Sequence, residues 1–173
     1  MNQRPERSEY QDYFAGYVAL VPSEGDLISI FREQTTEMFT FISALSEEQG
    51  NYRYAPEKWS IKQMIGHLAD TGRIMSYRLL RIARGDETPL AGFEENLYVR
   101  TGNFDAFSLK ELLAHYMLVR ESTLALLTSL PEEAWERIGT SNNGALSARA
   151  QACIMIGHDL HHLNILKERY LVL

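Results

Sequence analysis

Between Gly85 and Phe107 the chain runs for 23 residues without helical periodicity, while long stretches on both sides place apolar residues at helical spacing. Connections in helix bundles usually take about 2–8 residues, so a gap of this size needs a structural reason. A helix of about 25 residues is roughly 37 Å long, and 23 residues are enough to run back along it with slack. The flanking helices are therefore expected to be parallel and joined by a long crossover.

Four amphipathic helices surround that crossover. The first is predicted to start at Ser23, with Asp26 three residues on, and to end near Ser46, burying Leu27, Ile30, Phe31, Met38, Phe41, Ile42 and Leu45. The second has the strongest start signal. Ser60 can cap free backbone amides, Gln63 can complete a capping box, and Trp59 can pack on Met64 as a hydrophobic staple before the helix stops at Arg84 and Gly85. The third runs from Ser108, with Glu111 as box partner, to about Ser129, and the fourth from about Ser147 to Tyr170. Upstream, Tyr10, Tyr13, Phe14 and Tyr17 predict a short aromatic helix ending before Pro22, read as a lid on the core, with substrate binding or a dimer contact as the alternative. With no convincing strand pattern, the expected fold is all-α: a four-helix bundle of up, down, down, up topology, forming one domain over residues 1–173.

Composition narrows the function. The formal net charge is -6 and the basic residues are scattered, which disfavours nucleic-acid binding because phosphates need a clustered Lys/Arg surface. No apolar run approaches the roughly 20 residues of a membrane span, and the first residues lack the apolar core of a secretory signal, so a cytoplasmic protein is expected. The single cysteine, Cys153, excludes an intrachain disulfide and lies in an apolar stretch, where a free thiol acts as a small hydrophobe.

The histidines carry the most chemistry. His158 and His162 are at i and i+4, so their imidazoles project about 5–6 Å apart from one helix face and can converge on one cation. His161 is also adjacent to His158, at i+3, and spacing alone leaves both pairings open. The crossover topology puts His67 about 10 Å and His162 about 12 Å from the same end of the bundle, whereas a simple up, down, up, down order would move His162 to about 22 Å. Three imidazoles can therefore share one level. His115 would also be level, but it flanks the predicted stripe of Leu112 and Tyr116 and is read as reaching the surface. Each histidine has the alternative of serving only a core hydrogen bond.

The segments YVALVP with the following Gly-Asp helix start, RYAPEKWSIKQMIGHLADTGR, RLLRIARGDETPLAGFEENLYV and IGHDLHHLNILKERY resemble the DinB-like (YfiT-like) four-helix bundle proteins, a bacterial family taken to be metal-dependent enzymes. The resemblance spans nearly the whole chain. It implies the same up, down, down, up topology, a divalent metal, zinc or nickel, and His67, His158 and His162 as its ligands, with His162 preferred over His161. A homodimer is also implied. The chain departs from the family pattern after His67, where Asp70, Thr71, Gly72 and Arg73 stand in place of an Asp-x-Glu-Arg stretch, so position 72 offers no carboxylate.

Three neutral imidazoles leave a dication with its full charge and an open position, the arrangement of a catalytic site. The resemblance favours a small-molecule enzyme that activates a low-molecular-weight thiol for transfer to an electrophile. Hydrolysis of an amide or ester by metal-bound hydroxide is the alternative, and a non-catalytic, stress-associated metal-binding bundle is a third reading. Asp70 and Asp159 are candidates for orienting ligand imidazoles, with pairing to nearby arginines as the other option. Asn96, Tyr98 and Arg100 could return toward the metal end, with Tyr98 a candidate substrate contact, although simple packing of Leu97 and Tyr98 over the bundle is the favoured reading; Trp135 also reads as packing.

Overall fold

A computed structural model describes residues 1–170. Most of the chain is helical. Arg7–Glu9 and Asp12–Phe14 form 3-10 turns leading into α1, Ala15–Leu20. Helix α2 covers Leu27–Ser43, α3 Glu47–Gly50, α4 Ile61–Ala83, α5 Glu95–Thr101, α6 Leu109–Thr128 and α7 Ala148–Ile165, which continues as a π-helical turn through Leu166–Tyr170. A two-stranded antiparallel hairpin, β1 Ile138–Ser141 and β2 Gly144–Ser147, precedes α7.

Local chemistry accounts for the helix ends. Ser60 Oγ accepts from Gln63 N at 3.0 Å while Gln63 Oε1 accepts from Ser60 N at 3.2 Å, and Ser108 and Glu111 make the same reciprocal box. Helix α4 stops where Gly85 takes φ +78, a left-handed conformation that glycine adopts without steric cost. The start of α2 differs from expectation. Asp26, not Ser23, is the cap, its carboxylate accepting from Ser29 N at 2.9 Å, and Ser46 caps the separate short helix α3 instead of closing α2.

Two further corrections concern the regions expected to lack structure. The hairpin turns on Asn142 and Asn143, at φ 50 and 64, because an amide side chain tolerates the left-handed conformation that a tight two-residue turn demands. The crossover also holds a helix, α5, and a 3-10 turn at Phe104–Ala106. It is tacked to the hairpin edge, since Leu90 N donates to Thr140 O and Asn142 N donates to Leu90 O, both at 2.9 Å. That anchorage holds residues 92–95 over the bundle.

The core divides into two groups. One joins Leu27 and Phe31 of α2, Met75 to Ala83 of α4, Leu127 of α6 and the first half of α7; the other joins Met38 and Ile42, Ile61 to Ala69, Leu109 to Tyr116 and Leu163 to Tyr170. Each large side chain fully buried there contributes about 1.5–3 kcal/mol. Near the first group Glu9 and Arg149, both buried, form an ion pair, with Arg149 Nε donating to Glu9 Oε2 at 2.8 Å and Ser147 Oγ donating to the same carboxylate at 2.5 Å. This pair ties the N-terminal turns to the start of α7.

Helix α1 lies directly on α7. At Gly157 an added Cβ would stand 1.9 Å from the backbone oxygen of Tyr17, so a side chain there must displace α1. Gly157→Ala is accordingly expected to destabilise the protein by about 1–3 kcal/mol, the usual cost of overpacking. Urea denaturation checks this. A change within about 0.5 kcal/mol, the range of a neutral surface substitution, would show that the contact yields freely.

Candidate metal centre

Helix α4 supplies His67, and α7 supplies His158 and His162, all three buried. One ligand-capable nitrogen from each falls within 4.8 Å of the other two. The ring centroids lie 5.1 Å apart for His67 and His158, 4.9 Å for His67 and His162, and 4.6 Å for His158 and His162. The structure thus brings the three predicted residues together. His161 is half-buried beside them with its ring edge-on to Tyr17, and His115 packs against Phe107; neither joins the trio.

Polar neighbours orient two of the rings. The His158 Nδ1 lies 3.5 Å from Asp159 Oδ1, and a carboxylate can only accept, so this neighbour favours the tautomer with the proton on Nδ1 and a lone pair on Nε2. Thr71 Oγ1 lies 3.3 Å from His67 Nδ1, and His67 Nε2 lies 3.1 Å from His158 Nε2. Two nitrogens bound to one ion at about 2.0–2.1 Å and the tetrahedral angle would stand about 3.4 Å apart. The observed separation is close to that. A direct His67–His158 hydrogen bond would also suit this distance, but it leaves His162 Nδ1 buried with no partner. A buried imidazole nitrogen without a hydrogen bond is costly, and a cation shared by the three rings would remove that cost if Nδ1 is the nitrogen that His162 offers. The donor set therefore fits a divalent metal.

Electrostatics favours the ligand form of these rings. Burial foremost, then the neighbouring His158, pushes His67 down to about 3, and burial followed by His158 and His67 pushes His162 well below its ordinary value. Both are neutral at physiological pH. For Asp159, burial raises the pKa, but Arg120, His158 and Tyr116 outweigh it and the carboxyl is held below its usual range. Asp159 is thus an anion behind His158.

A polar network that the sequence reading missed supports this anion. Tyr116 OH donates to Asp159 Oδ2 at 2.6 Å, and Arg120 Nη1 donates to the same oxygen at 3.0 Å. Arg120 also donates to Gln34 Oε1 at 2.8 Å, Phe31 O at 3.1 Å and Thr35 Oγ1 at 2.9 Å, and its guanidinium lies over the Phe31 ring. The available signal was a charge at a core position, because Arg120 falls one turn after Tyr116 on the apolar stripe of α6. Asp70, by contrast, pairs with Arg73 at 2.8 Å near the surface and does not approach the histidines.

Aromatic rings close the centre. Trp59 stands 4.7 Å from His67 and stacks near His162 at 6.5 Å, so its indole walls the site in addition to any stapling role. Tyr17 meets His158 edge-on at 5.4 Å. A cavity of about 250 Å³ opens against His158 and Thr71, walled by Tyr17, Met75, Arg78 and Phe93. The crossover reaches it through Gly92–Glu95. Tyr98 packs on Phe93 and does not line the cavity, in keeping with the packing reading and not with a substrate contact, and Asn96 and Arg100 do not line it either. A wider groove of about 860 Å³ near Met1 and Trp135 is remote from the histidines. Trp135 is buried packing, and Cys153 is buried with its thiol pushed up to about 12 by burial, so it is no nucleophile.

Comparison with known proteins follows this geometry. A protein of Oceanobacillus iheyensis, assigned provisionally as a metal-dependent hydrolase, is 26% identical over 144 residues, 77% of each chain. YuaE of Bacillus subtilis is 26% identical over 155 residues, 82% of this chain and 95% of its own. Among solved structures, YfiT of Bacillus subtilis, described as a probable metal-dependent hydrolase with an unusual four-helix bundle topology, superposes with a TM-score of 0.74 at 16% identity, covering 96% of this chain and 90% of YfiT. The mycothiol-dependent maleylpyruvate isomerase superposes with a TM-score of 0.67 at 14% identity over 79% of this chain and 57% of the isomerase. The DinB superfamily model matches residues 30–166, which hold all three histidines, and this chain belongs to the DinB superfamily.

Proposed function

We propose that this protein is a metal-dependent enzyme in which His67, His158 and His162 hold zinc or nickel, and that it transfers a low-molecular-weight thiol to a small electrophile. The observation that carries the reading is the convergence of three buried imidazoles, one of which, His158, lines a cavity that a closed structural site would not need. The grouping of Ile61–Ala69, Leu109–Tyr116 and Leu163–Tyr170 in one core group supports an up, down, down, up order, which sets α4 parallel to α6 and His67 level with the pair. We read residues 1–173 as one domain built around this centre.

A divalent cation held by these rings supplies Lewis acidity that favours the deprotonated form of a donor in its open position. The chain does the rest. Asp159 fixes the tautomer of His158 and, anchored by Tyr116 and Arg120, cannot easily swing away. Thr71 can accept from His67 Nδ1, leaving Nε2 directed inward. Trp59 and Tyr17 exclude water from the rings.

Thiol transfer is preferred over hydrolysis because the only carboxylate touching the imidazoles, among the described residues, is Asp159, which is already engaged. A thiol ionises near pH 8.5 and water near 15.7, so the thiol needs much less help from a base. The mycothiol-dependent isomerase shares the fold, which agrees with this choice. Hydrolysis is the second reading, favoured by the assignment of the Oceanobacillus relative. A screen of zinc- or nickel-loaded protein with cysteine-derived thiols and chloroaryl or epoxide electrophiles should give thiol-dependent turnover that His158→Ala abolishes. Ester or amide turnover without any thiol would select hydrolysis instead.

A further inference from the structure

Arg78 lies about two turns beyond Thr71 on α4, roughly 10.5 Å along the axis, and lines the cavity that His158 also lines. It is 5% exposed and has no carboxylate partner among the described residues. Its one hydrogen bond runs from Nη2 to Ala91 O at 2.7 Å. Among the described residues, the side-chain atoms sealed without a partner are Arg149 Nη1, Gln151 Nε2 and His162 Nδ1, so Arg78 Nε and Nη1, which have no partner there either, reach open space. That space is the cavity. A buried guanidinium without a counter-charge is costly unless an anion joins it, and its planar fork suits a carboxylate.

We propose that Arg78 binds the carboxylate of a small monocarboxylate ligand in the cavity lined by His158. Phe93 and Met75 supply an apolar wall for the body of such a ligand, and the Ala91 contact holds the guanidinium in place. Glu94 and Glu95 line the same cavity, so the ligand's carboxylate must sit at the Arg78 end of it, and a dianion such as phosphate would be repelled more strongly than a single carboxylate. A volume of about 250 Å³ is just below the roughly 300–1,000 Å³ of drug-sized pockets, so the ligand is small. What happens to it rests on the proposed metal-dependent reaction; its binding does not.

The test uses phenylacetate and its neutral counterpart phenylacetamide as probes of the full chain, titrated calorimetrically before and after metal removal with EDTA. Phenylacetate is expected to bind metal-stripped wild type, phenylacetamide and phosphate much more weakly, and Arg78→Met about 10–100-fold more weakly than wild type, the usual effect of losing charged hydrogen bonds. Arg78→Lys should fall between. Equal binding of acid and amide by wild type overturns the proposal even if no variant folds. Binding that needs added zinc, vanishes in His67→Ala and survives in Arg78→Met also overturns it, while leaving the metal centre intact. If wild type binds no divalent cation yet still takes up phenylacetate through Arg78, the carboxylate site stands and the metal reading fails.

Discussion

Asp159→Ala is expected to destabilise the fold by about 3–5 kcal/mol, the range for removing one partner of a buried ion pair. The residue and Arg120 are both buried, and the substitution leaves the guanidinium with only neutral acceptors on Gln34, Thr35 and Phe31. Tyr116 OH loses its acceptor as well, and burial already drives that phenol well above its ordinary range, so it needs a partner for its proton. The double variant Asp159→Ala, Arg120→Met removes both charges and should recover part of the loss, since an apolar replacement of a buried pair is often neutral. Urea denaturation of the four proteins in this cycle measures the coupling. Additive losses would mean that the two side chains do not depend on each other.

Cation binding is expected to produce an effect of similar size. A ligand that binds only the native state at 1,000 times its Kd stabilises by about 4.1 kcal/mol, so zinc or nickel at that excess should raise the unfolding midpoint of wild type by several degrees. In His67→Ala the increment should disappear, because the remaining pair sits on one helix and lacks the third donor. Asp159→Asn should retain it with metal affinity about 10–100-fold lower, as for other losses of an outer hydrogen-bond partner. Equal metal-induced stabilisation of wild type and His67→Ala would remove His67 from the site.

The parts of this protein legible in its sequence are those set by near neighbours. Ser60 with Gln63 and Ser108 with Glu111 cap their helices within four residues, so the helix starts could be read directly. The length of the 85–107 connection and the rise per residue of a helix bring His67 level with the C-terminal histidines, while the choice of His162 over His161 comes from the family resemblance and not from spacing. What escaped depends on distant partners or unusual backbone. Arg120 stands on the apolar stripe of α6, which marks it as buried, but its partner Asp159 comes from α7, 39 residues away, and no local pattern links the two. Asn142 and Asn143 make a hairpin whose short strands show no long alternation, and that hairpin decides which part of the crossover reaches the cavity. Hence Gly92–Glu95 line it, while Tyr98 does not.

Metal analysis of the purified protein beside its His158→Ala variant tests the three-histidine centre most directly. Wild type loaded with zinc or nickel and freed of excess ion should retain about one divalent ion per chain, whereas a folded His158→Ala variant should lose it on the same treatment. Undiminished metal content in that variant would contradict a centre built from His67, His158 and His162.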